Sequence, residues 1–307
     1  MDIKKILVTG SSGTVGTRLC EILLEKGYDV KGIDITPNKW NKRVNGITTI
    51  ADLRNKSTLD SFDGFDLVIH LAAHARVYNS VVNPQLSKDN FDMVFNVMEF
   101  VRKNNIKRVF FSSSREVYGN APGKVVHREE DAIITLAESP YSATKLAGEA
   151  FIRSYKECYG IDFVILRLSN VYGMYDESDR VVPLFIRLIN GNKNVTVFGE
   201  KKLLDFTYID DTIDCFIKCI ENFDKVKNNT FNIASGVGTK IIDVAKIVQK
   251  KLGKDIKIDV KDTRTGEVME YIADITKIKN FIDYSPKTSI ENGIEKAIEW
   301  FKIRNSK

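Results

Sequence analysis

Cysteine is scarce in this chain. Four occur in 307 residues, Cys20, Cys158, Cys215 and Cys219, and none forms a C-x-x-C pair. No disulfide framework follows, and a reducing cytoplasm is the expected setting. Cys215 and Cys219 stand four apart on a predicted helix and share one face. With no histidine nearby to complete a ligand set, they read as small buried apolar side chains rather than half a metal site. Histidine is scarcer still, at three. His70 and His74 flank a strand end with no carboxylates clustered beside them, so no metal is expected. No apolar run approaches the ~18 residues that would suggest a membrane span. The opening MDIKKILVTG runs straight into a strand without a signal segment, so secretion by that route is not expected. Blocks of like charge are missing too. The net charge of +5 is scattered, which reads as a lysine-rich solvated surface and not a nucleic-acid or membrane patch. A mildly positive rim suits the approach of a small anionic substrate.

What is present is an alternation. KILVTG, DVKGIDI, GITTIAD, DLVIHLAA, RVFFSSS and DFVILRLSN are short apolar runs rich in β-type residues. Between them lie helical patterns, one through Val15, Leu19, Ile22 and Leu23, one from about Pro84 to Asn104, and one from Tyr141 to Tyr159. Apolar strands separated by helices predict a doubly wound parallel sheet covered on both faces. The last third is less regular. Helices are expected near 181–190, 241–252 and 290–302, with strands at VTVF and TFNIAS and a strand-to-helix step at DFTYIDDTIDCF. This predicts an α/β fold with a smaller C-terminal α/β lobe, the chain crossing between the two parts more than once.

GSSGTVG places Gly10, Gly13 and Gly16 after the first strand and at the start of a helix. Such a turn brings backbone N–H groups close to a ligand, and the helix N-terminus offers unpaired donors to a diphosphate. Thr14 and Val15 belong to the same turn. Asp34 ends the second strand, 18 residues beyond Gly16. A carboxylate there accepts both ribose hydroxyls of NAD and repels the 2′-phosphate of NADP, although Lys39 and Arg43 follow. Asp52 and Leu53, after the third strand, are candidates for the edge and face of the adenine.

PYSATKLAGEAF supplies Tyr141 and Lys145, four apart on one helix face. Phenol is a poor base near neutral pH, and a neighbouring ammonium together with the positive nicotinamide would lower its pKa. With the Ser112–Ser114 row, HLAA (His70–Ala73), RLSNVYG, FGEKKLLDFTYIDD and RTGEV, these elements resemble the extended short-chain dehydrogenase/reductase family over essentially the whole chain. Within it the chain is most similar to nucleotide-sugar 4-epimerases of the UDP-glucose or UDP-N-acetylglucosamine type. The resemblance implies a Rossmann-type NAD domain over 1–169, with a returning segment near 204–235, and a substrate lobe from 170–203 and 236–307. It implies Tyr141 as the base for the C4 hydroxyl, Ser114 as its hydrogen-bonding relay, and Lys145 as a ligand of the nicotinamide ribose. It implies hydride transfer from C4 to tightly held NAD and back to the other face. Leu71, Ala72, Ala73 and Asn90 would border the cofactor. Asn170, Phe198 and Arg264 would contact a UDP-sugar, Arg264 at the diphosphate.

The pattern also departs from that family. Leu204 stands where a diphosphate arginine is usual, with Lys201 or Lys202 as possible replacements. MYDES follows NVYG without the usual Pro-Arg, and Met93 replaces a glycine. Tyr271 falls where a bulky residue would close the sugar pocket against an N-acetyl group, though both sugar types stay open. Glu116 resembles the glutamate of nucleotide-sugar 4,6-dehydratases, but the residue before it is Arg115, which cannot act as a general acid. Epimerisation is therefore the expected chemistry. Dehydration, decarboxylation of a UDP-uronate and a non-catalytic dinucleotide sensor are the alternatives. The resemblance further implies a homodimer through a four-helix interface. Phe91, Phe95 and Met98 are candidates to be buried there or within the chain's own core.

Overall fold

The computed structural model describes residues 2–305. The chain first runs β1 (Lys5–Thr9), α1 (Thr14–Glu25), β2 (Asp29–Asp34), α2 (Lys42–Ile47), β3 (Thr48–Ile50), β4 (Leu67–His70), α3 (Val77–Val82) and α4 (Gln85–Lys103). It continues with β5 (Arg108–Ser114), β6 (Val126–His127), α5 (Pro140–Tyr159), β7 (Asp162–Leu168), β8 (Asn170–Tyr172), α6 (Val181–Asn190) and β9 (Val195–Phe198). Then come β10 (Leu203–Tyr208), α7 (Ile209–Glu221), α8 (Phe223–Val226), β11 (Asn229–Ile233) and β12 (Gly238–Lys240). The last elements are α9 (Ile241–Leu252), β13 (Ile258–Lys261), β14 (Glu270–Ala273), α10 (Thr276–Ile282) and α11 (Ile290–Asn305).

Seven strands form one sheet in the order β11-β7-β5-β4-β1-β2-β3, and every pairing in it is parallel. Apolar side chains alternate between its two faces because strand side chains have a period of two. Ile6 and Val8 of β1, Leu67 and Ile69 of β4, and Val164 and Leu166 of β7 enter one core. Leu7, Val68, Phe163 and Ile165 enter the other, against Val97, Val101 and Ile152 of α4 and α5. Both faces are thus dry, which explains why these strands are apolar throughout. Strand order reverses between β1 and β4, and the crevice at their carboxyl ends is where a doubly wound sheet binds ligands.

The chain leaves this sheet briefly at β6, between β5 and β7, and again after β7. A smaller sheet has the order β12-β10-β14-β6, with β8 also paired to β10, and β13 pairs with β9. The chain returns to the large sheet through α7 and β11, while β10, at the head of that segment, stays in the smaller sheet. The last two positions of the expected lobe lie outside the described residues. Among those described, no helix is long and apolar enough to cross a membrane, and no group of three metal-ligating side chains converges. Cys215 and Cys219 are both buried in the core. His70 is buried at the end of β4, with Nδ1 2.7 Å from Thr9 Oγ1.

Candidate active site

The glycine turn is built for close approach. Gly10 has φ +75°, and a Cβ there would lie 2.8 Å from the Ala72 backbone nitrogen. A Cβ on Gly16 would lie 1.9 Å from the Gly10 carbonyl oxygen, so α1 can press on the turn only with glycine at that position. Gly13 is the N-cap of α1; it supplies no side-chain cap, and the first turn carries no acidic residue. Those N–H groups, with the positive end of the helix, suit a diphosphate. Thr14, at the first position of α1, donates its hydroxyl to the Tyr175 carbonyl at 2.9 Å, tying the turn to the loop after β8. Val15 and Leu71 are half-buried against the core.

Asp34 is held at the rim. Its carboxylate accepts from the Ser12 N–H at 3.0 Å and from the Thr36 N–H and hydroxyl at 3.0 and 3.1 Å. Lys39, which could have favoured a 2′-phosphate, is engaged by Glu177 at 2.9 Å and lies over the Trp40 ring. The pair after β3 divides. Asp52 is accessible and bound by Arg54 at 2.6 Å, whereas Leu53 is buried in the core. On the other side, Ala72 N–H donates to Thr9 Oγ1 at 3.3 Å, and Ala73 follows half-buried. Asn90, buried on α4, accepts from the His74 N–H at 2.7 Å and donates to the His74 carbonyl at 3.2 Å. Its amide therefore staples this loop to α4. The dinucleotide cradle, the uncapped helix end and the rim carboxylate together fit NAD.

β5 and α5 bring the reactive groups together. Ser139 and Ser142 form a reciprocal cap at the start of α5, and Pro140 occupies its first turn. That fixes Tyr141 and Lys145 on the face toward the end of β5. Tyr141 is buried with Ser114 beside its phenol, and the serine hydroxyl acts to lower the phenol's pKa. Lys145, buried, donates its ammonium to the Ser112 carbonyl at 2.7 Å. Burial holds the lysine down at about 8, with Glu149 pulling the other way. Burial pushes the Tyr141 phenol up to about 12, opposed first by the Ser114 hydrogen bond. The charges that act on the phenol are those of Glu116, Arg180 and Arg115, not the expected Lys145. The ammonium lies 5.8 Å from the phenol ring centroid, and its hydrogen bond goes to β5 instead.

Behind this pair lies a polar network that the sequence reading did not anticipate. Glu149, on α5, accepts from Ser113 Oγ at 2.5 Å and from Arg167 Nε and Nη2 at 2.9 and 2.7 Å. Arg167 also donates to the Tyr118 hydroxyl at 3.0 Å, and that hydroxyl donates to Asn232 at 2.5 Å. Ser113 is therefore a structural hydroxyl. The signal was present: Glu149 falls four residues beyond Lys145 on the same helix face.

The substrate side gathers most of the expected residues. Asn170 accepts from Arg115 Nε at 3.2 Å and donates to the Asp205 carbonyl at 2.8 Å. Arg115 also pairs with Glu116 at 2.7 Å, and its guanidinium lies 5.8 Å from the Tyr271 ring centroid. Tyr271 is fully buried and stacks on Tyr118 and His127. Phe198 and Arg264 stack with the guanidinium 4.0 Å from the ring centroid, and Tyr78 lies 5.3 Å away on the α3 side. Leu204 and Met93 are both core residues. Lys202 is buried and bound to Glu267 at 2.7 Å, so its ammonium is already committed.

A parallel sheet with a dinucleotide cradle at its switch point, and a Tyr/Lys/Ser group across the crevice, defines an NAD-dependent short-chain dehydrogenase/reductase. The profile of the NAD dependent epimerase/dehydratase family matches residues 6–234, and the chain belongs to that family. It is 30% identical to the UDP-glucuronate 4-epimerase of Thermodesulfobacterium geofontis, over 96% of this chain and 95% of that one. The UDP-glucose 4-epimerase of Thermotoga maritima, solved with UDP-glucose, superposes with a TM-score of 0.89 at 29% identity, covering 98% of this chain and 99% of that one. The UDP-N-acetylglucosamine 4-epimerase of Methanobrevibacter ruminantium superposes at 0.86 with 28% identity, covering 99% and 100%. Nucleotide-sugar 4-epimerases are thus what this chain resembles throughout its length.

Proposed function

We propose that the chain is a UDP-hexose 4-epimerase, acting on UDP-glucose/UDP-galactose or on UDP-N-acetylglucosamine/UDP-N-acetylgalactosamine. The observation that carries this reading is that the Tyr141 phenol is buried beside Ser114, whose hydroxyl eases its ionisation, with Arg115 directly after Ser114. When bound, NAD supplies the acceptor and donor of the C4 hydrogen. Tyr141 removes the C4 hydroxyl proton and returns it, with Ser114 holding the oxygen. The phenol has to ionise, and burial works against it, so the positive charge brought by the oxidised cofactor is what makes Tyr141 competent. Lys145 stands below, positioned for the nicotinamide ribose. Gly10, Gly13, Thr14, Val15 and Gly16 receive the diphosphate, Asp34 the adenosine ribose and Asp52 the adenine edge. Phe198 and Arg264 hold the nucleotide end of the substrate, and Asn170 orients Arg115 beside the sugar. Elimination of water would need an acid where Arg115 stands, and a guanidinium does not release a proton near neutral pH.

The same reading makes the enzyme a cytoplasmic homodimer, in which α4 and α5 meet their copies in a four-helix interface. Support comes from Phe91 and Phe95, which stack on Phe151 of α5 at 5.5 and 5.8 Å, with Phe95 38% exposed. Met98 is instead buried within the chain's own core.

The test is incubation with UDP-glucose and with UDP-N-acetylglucosamine, with products read by NMR. The C4 epimer of at least one is expected. A 4-keto-6-deoxy sugar, or release of carbon dioxide from a UDP-uronate, would replace the reading with dehydration or decarboxylation.

A further inference from the structure

Arg115 and Glu116 are both more than nine-tenths buried. Nη2 of the arginine meets Oε1 of the glutamate at 2.7 Å, and Nε is taken by Asn170 at 3.2 Å. That leaves Arg115 Nη1 and Glu116 Oε2, two buried polar atoms with no hydrogen-bond partner among the described residues. The Tyr271 hydroxyl, on the ring below the guanidinium, is likewise unpartnered. Unpaired buried polar atoms are costly unless a ligand completes them. The pair also stands at the reaction centre. Glu116 N–H donates to Ser114 Oγ at 3.2 Å, and both charges act on Tyr141.

The chemistry of the unpaired atoms is specific. One is a donor and the other a carboxylate acceptor, on two side chains joined by the 2.7 Å ion pair. A hydroxyl matches them, since it accepts from Nη1 and donates to Oε2. A carboxylate satisfies only the donor and brings like charge against Glu116. The neighbouring cations do not offset this, because each has its own carboxylate. Lys202 is bound to Glu267 at 2.7 Å, and Arg180, the other cation acting on Tyr141, has Asp176 at 4.0 Å. On a hexose held by its C4 oxygen at Ser114 and Tyr141, the groups next to C4 are the 3-hydroxyl and the C5–C6 arm. In a hexuronate that arm ends in a carboxylate.

We infer that the Arg115–Glu116 pair reads a neutral hydroxyl beside C4 and so selects a nucleotide-linked neutral hexose over the corresponding hexuronate. The inference rests on the UDP-sugar reading above. Repulsion between like charges, the Glu116 carboxylate and that of the hexuronate, supplies the discrimination, as in other sites that exclude a competitor by design.

The test measures binding and turnover separately on the NAD-loaded, full-length enzyme. UDP-glucose and UDP-glucuronate are titrated calorimetrically into wild type, Glu116→Gln and Arg115→Gln, with melting curves confirming the fold of each. Wild type is expected to bind UDP-glucose at least about tenfold more tightly than UDP-glucuronate. In Glu116→Gln the guanidinium is unopposed, and the ratio moves toward the uronate by about tenfold. In Arg115→Gln it moves the other way. Equal or reversed preference in wild type overturns the inference, as does an unchanged ratio in Glu116→Gln. If that variant does not fold, the wild-type ratio and Arg115→Gln decide. UDP-glucose that binds with the expected preference, with neither it nor UDP-N-acetylglucosamine epimerised, refutes the 4-epimerase reading and supports the selectivity. Failure of wild type to bind either sugar overturns the inference, and failure to bind UDP-N-acetylglucosamine as well overturns the 4-epimerase reading.

Discussion

A lysine ammonium buried beneath a phenol carries a cost that can be measured. Lys145 sits at about 8, below its ordinary 10.5, because burial disfavours its charge. Between those values the unfolded chain binds more protons than the folded one, so this group makes stability rise with pH. Its burial penalty is complete below pH 8 and is relieved as the pH climbs toward 10.5. Replacing Lys145 with Met removes the penalty. The stability of Lys145→Met relative to wild type should therefore be most favourable near pH 7 and decline by up to about 3 kcal/mol by pH 10.5, as read by chemical denaturation at each pH. A pH-independent difference would place the ammonium in water. Tyr141 answers to kinetics instead. Tyr141→Phe keeps the ring and removes the proton carrier, so kcat should fall about 10²–10⁴-fold with little change in melting temperature. Turnover at the wild-type rate would remove the phenol from the chemistry.

Helices and strands carry those side chains to their places, and much of this was legible. The seven strands of the large sheet follow the apolar runs of the sequence, and α5, α6 and α9 fall where periodicity puts them. What periodicity missed was short. α2 is six residues containing a glycine, nucleated by the Asn41 side chain accepting from Arg43 and Val44 N–H groups. β6 is two residues, and β12 is the sequence GTK. Elements of this length are set by long-range pairing, which leaves no local pattern. The site was legible in the same measure. Glycines, Asp34, Tyr141 and Lys145 announce themselves by spacing, whereas the Glu149–Arg167 pair, 18 residues apart in sequence, is visible only once α5 packs on β7. Adjacency in sequence likewise does not show that Leu53 is buried in the core while Asp52 stays accessible. The turn before α1 gives the sharpest prediction at this level. Gly16→Ala puts a methyl carbon 1.9 Å from the Gly10 carbonyl. The helix must shift, at about 1–3 kcal/mol, and the purified variant should carry less NAD than wild type, read from its absorbance ratio and released nucleotide. Undiminished NAD content would show that the turn does not hold the cofactor.

Taken whole, the molecule is a large parallel sheet that carries the dinucleotide cradle and a smaller set of strands beside it, where the sugar is proposed to bind. Contacts between them run through the site itself. Arg115 at the end of β5 reaches Asn170 of β8, and Asn120 donates to the Glu267 carbonyl at 3.2 Å. Assembly belongs to this level as well. The aromatic face of α4 and α5 is the proposed contact with a second chain. Phe95→Glu should convert a dimer to a monomer in light scattering, and a monomeric wild type would discard that interface. The central claim is that the hydrogen leaving C4 is the hydrogen that returns. UDP-glucose deuterated at C4, turned over in ordinary water and followed by proton NMR, tests it most directly. The account predicts UDP-galactose with the deuterium still on C4. Product carrying solvent hydrogen at C4, or no C4 epimer from either UDP-glucose or UDP-N-acetylglucosamine, would contradict it.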